Sequence, residues 1–353
     1  MQRIDLQDYS IFLGFIWDAW NQFLKDSSYS KVIILVDQNT AQHCLPILKA
    51  YTKSVPLQVV RVKAGEQHKN IVTCQQIWSS LMQMDIDRKA LLVNLGGGVL
   101  GDMGGFCAAT YKRGIDFVQF PTTLLSQVDA SIGGKLGIDF SEVKNSIGLF
   151  QNPKAVFLFP EFFNTLLERE IRSGFAEIIK HSLIADRLQW NKIKTIQAIA
   201  ANNWSVYLYD SLMVKKCIVE VDPFEQGLRK ALNFGHTIGH AIESYFLKTP
   251  KPLLHGEAIA IGMICETYLS HKMVGLPAAA LEEIQRFLLQ TYDFVKLPTK
   301  AMPYLINIMR KDKKNENSKI NCSLLPEIGA VKVNQVVSPS LIQESIAYYN
   351  ALR

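Results

Sequence analysis

Cysteine is sparse in this sequence, and no two cysteines form a CxxC pair. The 353-residue chain has six cysteines, at positions 44, 74, 107, 217, 265 and 322. Their wide spacing argues against a disulfide framework and against a cysteine-ligated zinc site. Because most of them lie among apolar residues, they suit the reduced, buried thiols of a cytoplasmic protein, which is the location we expect.

Long apolar runs and blocks of like charge are also missing. No apolar run reaches the roughly 20 residues of a membrane span, so no membrane association is expected. The N-terminal stretch MQRIDLQDYSIFLGF is charged from its start, so we expect no signal peptide. The net charge of +6 comes from dispersed lysines and arginines. It favours a small anionic ligand and gives no reason to expect a nucleic acid.

The sequence alternates between strand and helix patterns at first and is mainly helical afterwards. Four apolar, β-rich segments lie at 31–39, 57–70, 89–114 and 116–123, and the third runs into a glycine turn and a helix. Strands that alternate with helices predict a parallel sheet covered by helices. We therefore predict an α/β fold. A Rossmann-like nucleotide-binding domain at 1–158 would precede a mainly α-helical metal- and substrate-binding domain at 159–353.

A glycine motif suggests where a nucleotide would bind. Residues 96–101, GGGVLG, fit the G-x-G-x-x-G pattern between a strand and a helix, where backbone N–H groups can approach a diphosphate. The motif follows the third predicted strand, and Asp102 directly adjoins it, so a structural tight turn remains the alternative. Asp37, the 65–69 loop and residues 122–123 follow or end strands at the same predicted edge.

A helical pair of histidines suggests a metal site. His236 and His240 are four residues apart and would share one helix face, but Thr237 stands where a zinc protease carries its glutamate base. His255 and Glu177 lie in similarly apolar helical segments. A lone histidine would more simply be a hydrogen-bonded core residue. Three histidines with a buried glutamate favour a metal that polarises a substrate alcohol beside a nicotinamide.

Cationic side chains accompany these segments. They are Arg113, Lys135, Lys144, Lys180, Arg229 and the run 310–315, with Asn145 beside Lys144. Solvated surface lysines are the simpler alternative for any one of them. Lys180 follows Glu177 by one helical turn, however, and Arg229 and Asn233 precede His236 by seven and three residues, which predicts a common helical face. Such a cluster would suit a substrate that bears both carboxylate and phosphate.

Seven segments of the chain resemble the 3-dehydroquinate synthase family. In order they read GGGVLGD, FPTTLLSQVDASIGGKLGID, EVKNSIGLF, LEREIRSGFAEIIKH, EQGLRKALNFGHTIGHAIE, HGEAIAIGM and DKKN. The resemblance is collinear from about residue 30 to residue 330. It implies a homodimeric lyase that uses NAD and zinc or cobalt on a small sugar-acid phosphate, 3-deoxy-D-arabino-heptulosonate 7-phosphate. The implied reaction is transient oxidation, phosphate elimination, re-reduction and intramolecular aldol closure.

The resemblance also implies roles for individual residues toward metal and substrate. Glu177, His236 and His255 match the metal ligands, and His240 matches a group for phosphate binding and proton transfer. The groups that match substrate contacts are Lys135, Asn145, Lys180, Glu225, Arg229, Asn233 and one of Lys313 and Lys314. Arg113 matches a residue that reaches the site of a dimer partner.

A further set of residues matches the NAD contacts of the family. It comprises Asp37, Asn39, Glu66, Lys69, Gly98, Val99, Gly101, Asp102, Thr122, Thr123, Asp129, Lys135, Lys144, Phe162 and Thr165. Asp129 matches the nicotinamide end.

Three alternatives share this scaffold. One is a sugar phosphate cyclase with another substrate, which would be expected to change the carboxylate-binding groups that Lys180 and Arg229 match. The second is a metal- and NAD-dependent polyol or alcohol dehydrogenase, which would release NADH. The third is a homologue without catalytic activity.

Overall fold

The structure is a computed structural model that describes residues 1–53, 55–141, 143–196, 199, 203–247, 249–311 and 319–353. It divides into two compact units, Met1–Leu167 with Asn203–Leu212, and Glu168–Asn202 with Met213–Arg353. The first unit continues past residue 158, where the sequence predicted the division. The reason is that Phe159 and Phe162 pack into the core of the first unit.

Among the residues that the structure describes, nine strands lie in the first unit. They are β1 (Gln2–Asp5), β2 (Ser10–Leu13), β3 (Val32–Val36), β4 (Leu57–Arg61), β5 (Leu91–Gly96), β6 (Asp116–Pro121), β7 (Lys135–Phe140), β8 (Val143–Phe150) and β9 (Ala155–Leu158). Seven of them form one sheet in the order β1-β2-β9-β6-β5-β3-β4, while β7 and β8 form a separate antiparallel hairpin. Apart from the antiparallel β1–β2 pair, the large sheet is parallel, which confirms the predicted sheet type.

Helices cover both faces of this sheet. The α-helices are α1 (Trp17–Asp26), α2 (Gln38–His43), α3 (Leu45–Tyr51), α4 (Ile71–Gln83) and α5 (Gly98–Thr110). Short 3₁₀ helices span Glu66–His68, Tyr111–Arg113 and Pro160–Thr165, and a π-helical turn spans Ser126–Ala130. Ile33 and Leu35 face one core layer, and Ile34 and Val36 face the other. Burial on both faces explains why β3 reads as an unbroken apolar run.

The second unit is mainly helical, as predicted. Its helices are α6 (Glu168–Ala185), α7 (Arg187–Ile193), the latter part of α8 (Trp204–Val221), α9 (His236–Phe246), α10 (His255–Val274), α11 (Ala278–Thr291), α12 (Met302–Lys311) and α13 (Pro339–Asn350). 3₁₀ helices span Leu228–Asn233 and Thr299–Ala301, and β10 (Ile320–Leu324) pairs with β11 (Lys332–Val337). α10 is buried around nearly its whole circumference and packs against α6, α9, α11 and α13.

One expected helix is interrupted. Arg229 and Asn233 lie in the 3₁₀ helix, and α9 begins only at His236. Gly235 breaks the helical path because its φ of 77° lies in the left-handed region. The prediction that Arg229 and Asn233 share one helical face with His236 is therefore wrong.

The expectations about cysteine pairing and membrane-spanning segments can be compared with the structure. All six cysteines are free thiols; five of them are buried and Cys217 is exposed. Among the described residues, no helix combines the length and the apolar character that crossing a bilayer requires.

Candidate functional site

The first unit gathers several predicted residues at one edge of its sheet. β3, β5 and β6 run parallel, so their carboxyl ends meet at the same edge. Asp37, Gly97 and Thr122 are the residues that directly follow these ends. The Thr122 N–H donates to the Gly96 carbonyl over 3.0 Å, which holds two neighbouring strand ends together. Ligands of open parallel sheets bind at this edge, so the predicted nucleotide contacts lie where such a ligand would be.

The glycine loop gives a ligand close access to the backbone. α5 begins at Gly98 with Gly97 as its N-cap, and glycine has no side chain to cap the first-turn N–H groups. A Cβ at Gly97 would lie 3.2 Å from Thr123 Cγ2, and one at Gly98 would lie 3.2 Å from Ala130 Cβ. The loop therefore leaves N–H donors and a positive helix end for an anion, and these residues fit a dinucleotide diphosphate.

Lys69 joins three of the predicted segments into one cluster. Its Nζ lies 2.6 Å from Asp102 Oδ2 on α5 and 2.6 Å from Asn145 Oδ1 on the β7–β8 hairpin. Lys69 is only 4% exposed, and although burial works against its charge, Asp102 and Glu66 raise its pKa. Nearby, Lys144 Nζ pairs with Glu66 Oε1 at 3.0 Å. The sequence assigned Asn145 to the substrate phosphate, and the structure places it beside residues assigned to NAD.

The remaining predicted residues of the first unit have mixed environments. Asp37 caps α2, because its Oδ1 accepts the Thr40 N–H over 2.8 Å. Phe162 is 2% exposed in the apolar core, so its side chain is not available to a cofactor. Lys135 begins β7 and Asp129 lies in the π-helical turn, whereas Asn39, Arg113 and Thr165 are exposed.

In the second unit, close backbone packing brings three helices together. A Cβ at Gly262 of α10 would lie 2.0 Å from the carbonyl oxygen of Gly235, which precedes α9. A Cβ at Gly256 of α10 would lie 2.0 Å from the carbonyl oxygen of Ser173 on α6. In addition, the Gly256 N–H donates to Ser173 Oγ over 2.9 Å. Only glycine permits these approaches, and as a result His236, His255 and Glu177 converge.

Glu177 is the centre of the convergent group. Its side chain is 0% exposed. Its Oε1 lies 3.3 Å from His236 Nε2 and 3.5 Å from His255 Nε2, yet no donor in the described part of the chain hydrogen-bonds to it with good geometry. Its Oε2 accepts a hydrogen bond from Lys180, one turn later on α6. A buried oxygen without a hydrogen bond, between two imidazole nitrogens, fits a divalent cation with nitrogen and oxygen ligands.

The charges of these groups suit a cation. Burial opposes the ionisation of Glu177, but Lys180 and His236 hold its pKa well below its usual range. Burial and Lys180 lower the pKa of His236 to about 4. Burial works against protonation of His255, but Glu243 and Glu177 raise its pKa to about 9. At neutral pH the site thus offers an anionic carboxylate and a neutral imidazole, and His255 must release a proton to become a ligand.

His240 is also close enough to join a metal site. One nitrogen from each of His236, His240 and His255 lies within 4.8 Å of the others, and the His236 and His240 rings have centroids 5.0 Å apart. The predicted sharing of one helix face is confirmed. Two ligand sets are therefore compatible with the geometry, three histidines or Glu177 with His236 and His255. The orphaned Glu177 oxygen favours the second.

Glu243, which the sequence pattern did not single out, contacts one of these candidate ligands. Its Oε2 lies 3.2 Å from His255 Nδ1, so His255 can direct Nε2 toward Glu177. His236 is held in a comparable way, because its Nδ1 lies 3.0 Å from the Phe234 carbonyl oxygen. Metal-binding histidines commonly use their second nitrogen in this manner. The sequence spacing could have indicated this contact, because Glu243 follows His236 by seven residues and so lies on the same face of α9.

Several predicted substrate contacts lie in the same unit. Lys180 and Arg229 are each 1% exposed, and the Arg229 guanidinium donates to the Pro223 carbonyl. Asn233 Nδ2 donates to Glu225 Oε1 over 2.9 Å. Lys313 and Lys314 lie outside the described residues. Lys180 pairs with the Glu177 carboxylate, as a buried cation requires.

Comparison with known families gives two adjoining matches. The profile of the 3-dehydroquinate synthase N-terminal domain matches residues 59–173, and that of the C-terminal domain matches residues 174–315. The chain is 42% identical over 331 residues to a 3-dehydroquinate synthase of Parabacteroides distasonis, with 93% of each chain covered. It is 39% identical over 339 residues to one of Dictyoglomus thermophilum, with 94% of this chain and 93% of the relative covered.

Solved structures with the same fold include sugar phosphate cyclases. A 2-deoxy-scyllo-inosose synthase, solved with carbaglucose-6-phosphate, NAD+ and Co2+, has a TM-score of 0.85 at 22% identity and covers 98% of this chain and 99% of its own. A 2-epi-5-epi-valiolone synthase of Streptomyces hygroscopicus, solved with NAD+ and Zn2+, has a TM-score of 0.85 at 23% identity. The match covers 100% of this chain and 99% of that one. A protein of Sinorhizobium meliloti described as a probable glycerol dehydrogenase has a TM-score of 0.63 at 14% identity, and the match covers 97% of this chain and 96% of that one.

Proposed function

We propose that this chain, which belongs to the 3-dehydroquinate synthase family, is itself a 3-dehydroquinate synthase. It would convert 3-deoxy-D-arabino-heptulosonate 7-phosphate to 3-dehydroquinate and phosphate. The single observation that carries the proposal is the convergence of Glu177, His236 and His255 in a unit that also buries Lys180 and Arg229. Such a site can hold a cation and an acidic sugar together.

The cofactors we assign are NAD and one divalent cation, Zn2+ or Co2+. Two structural relatives carry NAD+ with Co2+ or Zn2+. When bound, NAD supplies a reversible oxidation of a substrate alcohol, and the cation supplies a Lewis acid. Glu177, His236 and His255 would hold the cation. The Gly98–Asp102 backbone would hold the NAD diphosphate, with Thr122 and Thr123 beside it.

The other side chains bind and orient the substrate. Lys180, Arg229 and Asn233 would receive its carboxylate and hydroxyl groups, while His240 would receive its phosphate. By resemblance to the family, the substrate's own phosphate would take the proton from the adjacent carbon, so the chain would need no strong side-chain base. Its contribution is then to fix charges and geometry before the reaction begins.

Two further assignments follow the family. We assign the protein to the cytoplasm and to a homodimer, in which Arg113 would reach the substrate site of the partner. Arg113 is exposed on the turn after α5, which leaves its guanidinium accessible for such a contact.

The proposal is tested by measuring phosphate release. Purified protein is mixed with catalytic NAD, zinc or cobalt, and the seven-carbon substrate. One phosphate should be released per substrate consumed, without lasting absorbance at 340 nm, and omission of NAD or addition of a chelator should stop the reaction. The closely matched comparison is the same assay with sedoheptulose 7-phosphate or glucose 6-phosphate.

Other results would contradict the proposal in distinguishable ways. NADH that accumulates with a polyol would indicate a dehydrogenase. Turnover of only the two alternative sugar phosphates would indicate another cyclase. NAD binding without any turnover would indicate a homologue that has lost catalysis.

A further inference from the structure

Glu266 makes an unusual contact with the start of helix α9. It lies in the middle of α10 and is 0% exposed. Its Oε2 accepts the Gly235 N–H over 2.7 Å, and its Oε1 accepts the Ile238 N–H over 3.1 Å. Both oxygens of one buried carboxylate thus bind backbone donors at a single helix end.

The sequence of α9 explains why the cap must come from another helix. In an ordinary capping box, the N-cap side chain accepts the N–H of the third helical residue, whose own side chain accepts the N-cap N–H. Here the N-cap is Gly235 and the third residue is Ile238, and neither side chain can accept a hydrogen bond. Glu266 accepts both N–H groups in their place.

A capping side chain could not be restored at position 235. The φ of Gly235 is 77°, and a Cβ there would lie 2.5 Å from Met263 Cγ and 3.1 Å from the Met263 backbone nitrogen. The close packing of α9 on α10 therefore removes the local cap, and the same contact brings Glu266 within reach. The negative carboxylate also suits the positive end of the α9 dipole.

The capped turn contains a residue of the site. His236 is the first residue of α9, so the two N–H groups that Glu266 binds lie on either side of it in the chain. We propose that Glu266 is a positioning residue that fixes the first turn of α9 and thereby directs His236 Nε2 toward Glu177. This inference depends on the proposed function only in taking His236 as a metal ligand.

The test compares Glu266→Ala and Glu266→Gln with a buried neighbour on the same helix. Glu266→Ala removes both acceptors, whereas Glu266→Gln keeps one amide oxygen. The matched control is Thr267→Ala, because Thr267 is also 0% exposed but, among the described residues, its hydroxyl donates within α10, to the Met263 carbonyl. Zinc dissociation constants are measured by competition with a chelator. Hydrogen exchange of peptides that cover residues 233–240 is measured on the same proteins.

We expect Glu266→Ala to weaken zinc binding by about 10- to 100-fold, the range seen when a group that orients a ligand is lost. Peptides over 233–240 should exchange faster. Glu266→Gln should fall between Glu266→Ala and wild type in both measurements. Thr267→Ala should lower the melting temperature but keep the wild-type zinc affinity.

Two results would overturn the inference. One is a folded Glu266→Ala or Glu266→Gln protein with wild-type zinc affinity and exchange. The other is a Thr267→Ala protein that loses zinc affinity in proportion to its loss of stability, as the glutamate variants do. If the wild-type protein releases no phosphate but the zinc affinities still fall in the expected order, the proposed function fails and the role of Glu266 stands.

Discussion

Glu177 and Lys180 form an ion pair within helix α6 in which both side chains are withdrawn from solvent, at 0% and 1% exposure. The pair uses one carboxylate oxygen, and the other faces His236 and His255. One buried carboxylate therefore neutralises a fixed ammonium and also serves as a candidate metal ligand.

Loss of Glu177 should be far more costly than loss of an exposed glutamate on the same helix. Glu177→Ala leaves the Lys180 ammonium buried without compensation, and we expect a loss of about 3–5 kcal/mol in the free energy of unfolding. Denaturant titration in the presence of a chelator measures this loss without a metal contribution. The control is Glu168→Ala, which removes the exposed α6 pair with Arg172 and should cost less than about 1 kcal/mol. Equal losses in the two variants would argue against a buried pair.

His255→Ala and His240→Ala should separate the two possible ligand sets. Without His255, only two ligands of the favoured set remain, and zinc and activity should be lost together. His240→Ala should retain one zinc per chain and lose activity. Metal analysis after dialysis, paired with the phosphate assay, measures both. If His240→Ala lost zinc while Glu177→Gln retained it, the three-histidine set would be correct.

Glu243→Gln should weaken zinc binding without removing a ligand. Glutamine can still contact His255 Nδ1, but it lacks the negative charge that strengthens the hydrogen bond from Nδ1–H and so directs Nε2 toward the metal. We expect about 10- to 100-fold weaker zinc binding, measured by chelator competition. A suitable control is Glu220→Gln, an exposed α8 glutamate paired with Lys216, which should leave the zinc affinity unchanged.

Gly262→Ala should disturb the α9–α10 contact. The added methyl group would lie 2.0 Å from the Gly235 carbonyl oxygen, so the helices must separate. We expect a loss of about 1–3 kcal/mol in stability, measured by denaturant titration, together with weaker zinc binding. Gly227→Ala is the matched control, since the nearest atom to its added methyl group in the described part of the chain would be Asp222 Oδ2, at 3.8 Å. If Gly262→Ala were as stable as Gly227→Ala, the close approach would be unimportant.

Gly98→Val should weaken NAD binding and leave the metal site intact. The new side chain would stand at the first residue of α5, beside the N–H groups proposed to bind the diphosphate. We expect the NAD dissociation constant to rise at least about tenfold, which corresponds to ~1.4 kcal/mol. Fluorescence titration with NADH measures it, and zinc affinity is the internal control. Unchanged NADH affinity would place the cofactor elsewhere.

Local sequence patterns predicted the features that depend on single elements. β3 is apolar because it is buried on both faces, so it could be recognised without a structure. The glycine loop before α5 and the shared face of His236 and His240 could also be predicted from the sequence, because each lies within one turn or one helix.

Features that depend on contacts between elements could not be predicted in this way. The break at Gly235 arises because α9 packs closely on α10, and nothing in the period of the sequence marks it. The sequence of α10 does not distinguish Glu266 from other polar helical residues. Its role depends on the packing of α10 against α9, which places its carboxylate at the α9 N-terminus. The antiparallel β7–β8 hairpin, which brings Asn145 to Lys69, was likewise not predicted.

Helix α10 carries His255 at its first residue and Glu266 eleven residues later, a separation of about 16 Å along a straight helix. A single helix would thus supply one candidate ligand, His255, and through Glu266 would support a second, His236, at the start of α9. Hydrophobic packing of the helical unit would therefore form the proposed metal pocket before an ion binds. A chelator should empty the pocket without unfolding the unit, and an ion that returns should find its ligands already in place.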